Sequence, residues 1–153
     1  MRKFLLAVAL ATASATLPAY AATDAECTAM WTKADINNDG VLTDAEALRY
    51  SAAMRVRGTQ MPADGKLTKA AFIDACKGDV YTMAKVDAGA PLKGSNSFTE
   101  DQARDRAIAW GALSVTELTK DADGIWRGKA QVDGKSSAVA IDYKGNVVFT
   151  PAP

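Results

Sequence analysis

The sequence contains no histidine among its 153 residues, and this absence narrows the functions open to it. Histidine is the commonest general base and metal ligand, so its absence excludes the Ser-His-Asp and Cys-His catalytic pairings and nearly every familiar zinc or heme site. Basic and acidic residues number 18 each, so no strong field of either sign attracts nucleic acid or an anionic membrane surface. We therefore expect no nucleic-acid partner.

Other catalytic patterns are missing as well. The sequence has no G-x-S-x-G motif, no phosphate-binding loop and no C-x-x-C pair. Paired acidic residues that could perform general acid and base catalysis are confined to one short segment, described below. The sequence therefore predicts a protein that is not an enzyme.

The N-terminal residues have the pattern of a secretory signal peptide. Arg2 and Lys3 precede an apolar run over residues 4–17, and residues 19–21 read Ala-Tyr-Ala, the small-residue spacing of a cleavage site. The alternative is a single membrane anchor, but a spanning helix needs about 20 apolar residues and this run is shorter. We expect removal of residues 1–21 and a periplasmic or secreted protein with no membrane association after cleavage.

Cysteine is scarce, and the two residues present form an even pair. In an exported chain, the oxidising compartment favours a disulfide between Cys27 and Cys76. Such a bond would enclose a segment of the N-terminal half and constrain its unfolded state.

The most specific segment lies inside that interval, where residues 35–46 read D-I-N-N-D-G-V-L-T-D-A-E. This segment resembles the EF-hand calcium loop at all twelve positions, including the glycine at position 6 and the glutamate at position 12. It contains four acidic residues and no basic one, a set that repels itself without a cation. The alternative is a polar turn rich in Asn and Asp, which explains the curled part of the loop but not the remote glutamate.

The EF-hand resemblance implies a role for each ligand position. Side-chain oxygens would come from Asp35, Asn37 and Asp39, and Val41 would contribute its carbonyl. Thr43 would bind directly or through water, and Glu46 would bind with both carboxylate oxygens. The implied ion is Ca²⁺, because a hard cation prefers six to eight oxygen ligands.

The flanking residues predict a helix on each side of this loop. Thr23 or Asp24 can cap the first helix, and Thr43 with Glu46 has the spacing of a capping box for the second. Arg55 and Arg57 lie near the end of the second helix, where basic residues suit the helix dipole. Their pattern favours a solvated helix end, and the alternative is an anion site.

A degenerate second loop follows. Aligning Gly65 with Gly40 leaves only Asp64 as a carboxylate at a ligand position, so this loop should not hold calcium. The alignment would pair Leu67 with Leu42 in a short β bridge. The intervening chain is short, so we expect the second unit to lack most of its first helix.

The C-terminal third changes from helical to strand periodicity. Thr99 or Ser97 can cap a helix, and the following residues alternate between apolar and polar in segments separated by Gly-containing turns. The T-E-D-Q-A run at 99–103, the D-G-x-W at 123–126 and the I-D-Y-K-G-N-V at 141–147 resemble the PepSY family of small exported domains. That resemblance implies inhibition or chaperoning of a peptidase, with no catalytic residue to transfer. The alternative is a generic α+β module.

Together these patterns predict an α+β protein with two domains. Residues 22–80 would form an N-terminal helical EF-hand-like pair, and 81–97 would form a linker. Residues 98–150 would form a small PepSY-like domain of one helix on a three- to four-stranded antiparallel sheet. The predicted function is calcium binding by an exported regulatory or binding module, and the alternative is an interaction protein that inhibits or chaperones a peptidase.

Overall fold

The structure, a computed structural model, describes residues 22–152, so the predicted signal peptide over 1–21 lies outside the described residues. The architecture is α+β, with a helical N-terminal region and a four-stranded antiparallel sheet, and it confirms the predicted fold class. The ten elements, in chain order, are α1 (Asp24–Ala34), β1 (Val41–Leu42), α2 (Asp44–Val56), β2 (Leu67–Thr68), α3 (Lys69–Lys77), α4 (Glu100–Ala109), β3 (Ala112–Lys120), β4 (Trp126–Val132), β5 (Lys135–Ile141) and β6 (Val147–Pro151).

The N-terminal region contains two loops joined by a short β bridge. Strands β1 and β2 pair antiparallel, with Leu42 opposite Leu67, as the alignment of the two loops predicts. Both leucines are fully buried. Residues 57–66 contain no helix, so the second unit lacks its first helix and α3 follows the second loop directly.

A disulfide and an aromatic cluster hold this region together. Cys27 of α1 is bonded to Cys76 of α3, which confirms the predicted pair. Closing a loop of 49 residues stabilises the fold by about 4 kcal/mol in the loop-entropy model. Next to the disulfide, the fully buried ring of Phe72 packs edge-on against Trp31 and Tyr50, with ring centroids 5.3 and 4.8 Å away. Such pairs add about 1 kcal/mol each beyond their burial.

The C-terminal region places α4 against one face of the sheet. The strand order β3-β4-β5-β6 follows the chain, because each strand is joined to the next by a turn. Thr99 is the N-cap of helix α4 and forms a capping box with Gln102, and the helix packs on β3 and β5. The predicted hairpin turn at residues 121–124 connects β3 to β4.

Residues 81–97, the predicted linker, run along the end of the sheet and are hydrogen-bonded to it. The backbone N–H of Leu92 donates to the fully buried carboxylate of Asp142 at 2.9 Å, and the N–H of Gly94 donates to the carbonyl of Asp123 at 3.0 Å. We call residues 87–96 the strap. The predicted domain boundaries stay a prediction.

Helix α2 packs directly on α4, and this contact joins the two regions. Arg55 donates two hydrogen bonds to the Asp105 carboxylate, at 2.8 and 2.7 Å, and Arg49 donates to the Ala109 carbonyl at 3.2 Å. Buried residues of both regions form one continuous hydrophobic cluster. Among residues 22–152, no helix is both long and apolar enough to cross a bilayer.

Candidate metal centre

The candidate site is the loop between α1 and α2, at residues 35–46. The chain curls there because Asn38 and Gly40 adopt left-handed backbone angles, with φ 58° and 83°, and Asp44 near the end of the loop also has a positive φ, of 44°. Glycine has no Cβ to oppose this conformation, and asparagine tolerates it better than most residues. The tight curl returns the chain toward its start within six residues, so side chains from both ends of the loop can meet.

The loop brings three carboxylates together. One oxygen from each of Asp35, Asp39 and Glu46 lies within 4.8 Å of the other two, and we call these residues the carboxylate cluster. Asp35 is buried, Glu46 is partly buried and Asp39 is exposed, so the cluster opens to solvent on one side. These are the three ionised ligand positions predicted from the sequence.

Backbone N–H groups of the loop fix the two end carboxylates in place. Asp35 accepts hydrogen bonds from the N–H groups of Asp39 and Gly40, both at 3.2 Å. Glu46 Oε1 accepts from the N–H groups of Ile36 and Asn37, at 2.9 and 3.2 Å.

The capping box predicted at Thr43 is therefore wrong. Thr43 is the N-cap residue of α2, but its side chain makes no capping hydrogen bond, and the Glu46 N–H donates to the Thr43 carbonyl instead, at 3.0 Å. The Glu46 carboxylate, the other half of a capping box, turns into the loop.

The remaining predicted ligands lie around the cluster. Asn37 forms two hydrogen bonds with Asp39. Its Oδ1 accepts from the Asp39 N–H at 2.9 Å, and its Nδ2 donates to Asp39 Oδ2 at 3.1 Å. Val41 and Thr43 line one cavity together with Asp39. Asp39 is the one member of the carboxylate cluster that lines this cavity, so Val41 and Thr43 lie beside that member.

The electrostatics of the cluster favour a cation. Two unit negative charges at this separation repel by about 1 kcal/mol in bulk water and about 3 kcal/mol at an effective dielectric of about 20. No member of the cluster forms an ion pair within residues 22–152. The donor set consists entirely of hard oxygens, which suits Ca²⁺ or Mg²⁺ and not a soft metal.

Residues of the degenerate second loop line the same cavity. The spacing of the first loop does not predict this shared cavity. Asp64, Gly65 and Lys66 line it opposite Asp39 and Thr43. Asp64 is the one carboxylate that the sequence alignment leaves at a ligand position of that loop. Its Oδ1 accepts a hydrogen bond from the backbone N–H of Lys66 at 3.1 Å, which is typical of a turn. Residues of both loops therefore line one cavity, and the absence of an ion site in the second loop stays a prediction.

Comparisons of the chain with models of protein families, with curated proteins and with solved structures find no match. The resemblances to the EF-hand and PepSY families accordingly stay predictions from the motifs quoted above.

Proposed function

We propose that this protein binds one calcium ion in the loop at residues 35–46 and acts as a binding or regulatory module. The observation that carries the proposal is the carboxylate cluster, whose three oxygens lie within 4.8 Å of one another with no paired cation among the described residues. Asn37, Val41 and Thr43 would complete the six or more oxygens that calcium prefers. Bound calcium would neutralise the repulsion within the cluster and hold the start of α2 to the end of α1.

The affinity should be modest. Only three of the proposed ligands are ionised, and the second loop has no carboxylate set with which to form a paired site. Extracellular calcium modules bind at about 10⁻⁴ to 10⁻³ M, and we expect a value in or near that range. Mg²⁺ should bind more weakly, because it demands a smaller octahedral arrangement and gives up its water reluctantly.

Calorimetric titration with calcium and with magnesium tests the proposal. We expect one calcium per chain, and we expect Glu46→Gln to weaken binding at least about tenfold because it removes a bidentate charged ligand. Asp44→Asn is the matched control. Asp44 lines the same cavity as Val41 and Thr43, but it is outside the carboxylate cluster. The variant removes one negative charge from the loop without removing a proposed ligand, so its effect should stay below about threefold.

Two results would contradict the proposal. A stoichiometry of two would assign binding to a site other than this loop. Equal losses in Glu46→Gln and Asp44→Asn would mean that only the total charge of the segment matters, with no built site.

We further propose that the protein works in an oxidising compartment outside the cytoplasm and without catalytic activity. The Cys27–Cys76 disulfide supports the first part, because structural disulfides persist in such compartments. The absence of histidine supports the second. Fractionation of cells followed by mass spectrometry of the intact protein tests export, with the expected N-terminus at Ala22. Detection of full-length protein only in the cytoplasm would contradict it.

A further inference from the structure

A second candidate site lies where the C-terminal end of α2 meets α4 and the turn between β5 and β6. It is a cavity of about 170 Å³, and three cationic side chains line it: Arg57, Arg106 and Lys144. No acidic residue within 22–152 lines this cavity. The three cations come from three separate elements, so only the folded chain brings them together.

Two of these cations have no carboxylate partner. Arg57 donates to the Thr82 carbonyl, and Arg106 donates to the Gln102 carbonyl at 3.0 Å while its guanidinium stacks over the Phe98 ring. Neither arginine forms an ion pair within residues 22–152. Carbonyl oxygens use part of each guanidinium fork and leave other N–H donors for a ligand.

The third cation and the nearest acids are already paired. Lys144 forms an ion pair with Asp87 at 3.0 Å. Asp105 is next to Arg106 in sequence but forms its ion pair with Arg55. Arg57, which is exposed, and Arg106, which is partly buried, therefore line the cavity without a carboxylate partner among the described residues. Burial lowers the pKa of the Arg106 guanidinium, as expected for a cation that is partly desolvated without a paired carboxylate.

The rest of the cavity wall is largely apolar, with Val56, Met83 and Trp110 among its lining residues. Liquid water occupies about 30 Å³ per molecule, so the cavity has room for about six waters or one small organic anion. An apolar wall next to unpaired guanidinium groups suits a ligand with a carboxylate at one end and a hydrocarbon group at the other.

We propose that this cavity binds a carboxylate that carries a short apolar group. Two sources share this chemistry, a free branched-chain acid and the C-terminal residue of a polypeptide that ends in an aliphatic side chain. The cavity is separate from the carboxylate cluster, so the inference does not depend on calcium binding.

NMR titration of the full chain with isobutyrate, and with the uncharged isobutyramide, tests the proposal. Isobutyrate should shift the amide of Gly145 and the indole N–H of Trp110, and isobutyramide should bind at least about tenfold more weakly because it lacks the charge. Acetate should also bind more weakly than isobutyrate, because it leaves the apolar wall uncovered.

Three variants locate the binding. Arg57→Gln should weaken isobutyrate binding at least about fivefold, and Arg57→Lys, which keeps the charge but loses the guanidinium fork, should recover part of it. Lys129→Gln is the control, because Lys129 is an exposed cation of β4 that pairs with Glu117 away from the cavity. Equal binding of isobutyrate and isobutyramide, or an affinity unchanged in Arg57→Gln, would overturn the proposal.

A short peptide acid that ends in valine, compared with its C-terminal amide, separates the two sources. Binding of the acid at least about tenfold tighter than isobutyrate, with none by the amide, supports a polypeptide terminus. Binding of the peptide acid no tighter than isobutyrate supports a free acid. Binding of the peptide amide as tightly as the acid would overturn the carboxylate requirement.

Discussion

Two glycines with nearly the same backbone angle have different surroundings. Gly124, in the turn between β3 and β4, has φ 76°, and Gly134, between β4 and β5, has φ 73°. A Cβ added at Gly124 would lie 1.9 Å from the carbonyl oxygen of Gly94 in the strap, whereas a Cβ at Gly134 would meet nothing within 4 Å. The same substitution at the two positions therefore separates backbone strain from a steric clash.

We expect Gly134→Ala to lower the free energy of unfolding by about 1 to 2 kcal/mol, the usual cost of a left-handed backbone with a Cβ. Gly124→Ala should cost about 3 kcal/mol or more, because it must also displace the strap. Urea unfolding of both variants measures the difference. Equal losses would mean that the strap does not pack on this turn.

A single carboxylate in the same turn makes part of the stability depend on pH. Hydrogen bonds, first from the Ile125 N–H and then from the Arg127 side chain, hold the pKa of Asp121 below its ordinary value of 3.8. A pKa that is lower in the folded state means that the ionised group stabilises the fold. This contribution is complete above the unfolded-state pKa and is lost as pH falls through the folded-state pKa.

We therefore expect Asp121→Asn to flatten the fall in stability between about pH 4 and pH 2. Chemical unfolding at a series of pH values provides the measurement. Asp133→Asn serves as the control, because Asp133 is exposed in another hairpin turn and its carboxylate makes no hydrogen bond within residues 22–152. A parallel acid dependence in wild type and Asp121→Asn would show that the turn hydrogen bonds contribute nothing to it.

At the scale of elements, the contact between α2 and α4 depends partly on one ion pair. Arg55 binds Asp105 with two hydrogen bonds, and the two side chains are 48% and 20% exposed. Solvent screening reduces the stabilisation that such a half-exposed ion pair contributes. Because Arg55 donates two hydrogen bonds to the carboxylate, this contribution should lie at the upper end of the range for surface ion pairs. We expect Arg55→Met to cost about 1 kcal/mol.

A double-mutant cycle with Asp105→Asn isolates the interaction between Arg55 and Asp105. The coupling energy should be about 0.5 to 1 kcal/mol and should decrease in high salt. The Lys129–Glu117 pair provides the comparison, because both of its side chains are mostly exposed and its coupling should be close to zero. A larger coupling for Lys129–Glu117 than for Arg55–Asp105 would contradict this ranking.

At the scale of the whole molecule, α2 connects the metal loop to the sheet. Its first residues belong to the loop, and its later turns contact α4 through Arg49 and Arg55. A cation that binds the folded loop stabilises it by about 2.7 kcal/mol at a hundredfold excess over the dissociation constant. Because α2 and α4 share a buried surface, this stabilisation should extend beyond the helical region.

Hydrogen exchange with and without calcium tests this coupling. We expect slower exchange across α1 and α2 and, to a smaller degree, in α4, while the far strand β6 changes least. Glu46→Gln should weaken the whole pattern at the same calcium concentration, because it lowers the occupancy of the loop. Protection that ends at Val56 would show that the two regions open independently, as the sequence-based domain division predicts.

Sequence patterns within about twelve residues of one another determined much of this protein. The spacing of Asp35, Asp39 and Glu46, the cap at Thr99 and the alternating strands each specify a local conformation, because backbone hydrogen bonds and side-chain periodicity act over short distances. The Cys27–Cys76 pair, although distant in sequence, was predictable because the chain has only two cysteines.

Tertiary structure alone decided the features that join distant segments. Glu46 fits both a helix cap and a loop carboxylate by spacing, and the folded loop selects the second because the N–H groups of Ile36 and Asn37 lie within reach. Arg57 is exposed at the helix end, as its pattern predicts, and packing of α2 on α4 also places it along one cavity with Arg106 and Lys144. No local spacing places Arg57 beside Arg106 and Lys144, because that arrangement arises only when the elements bury their apolar faces against one another.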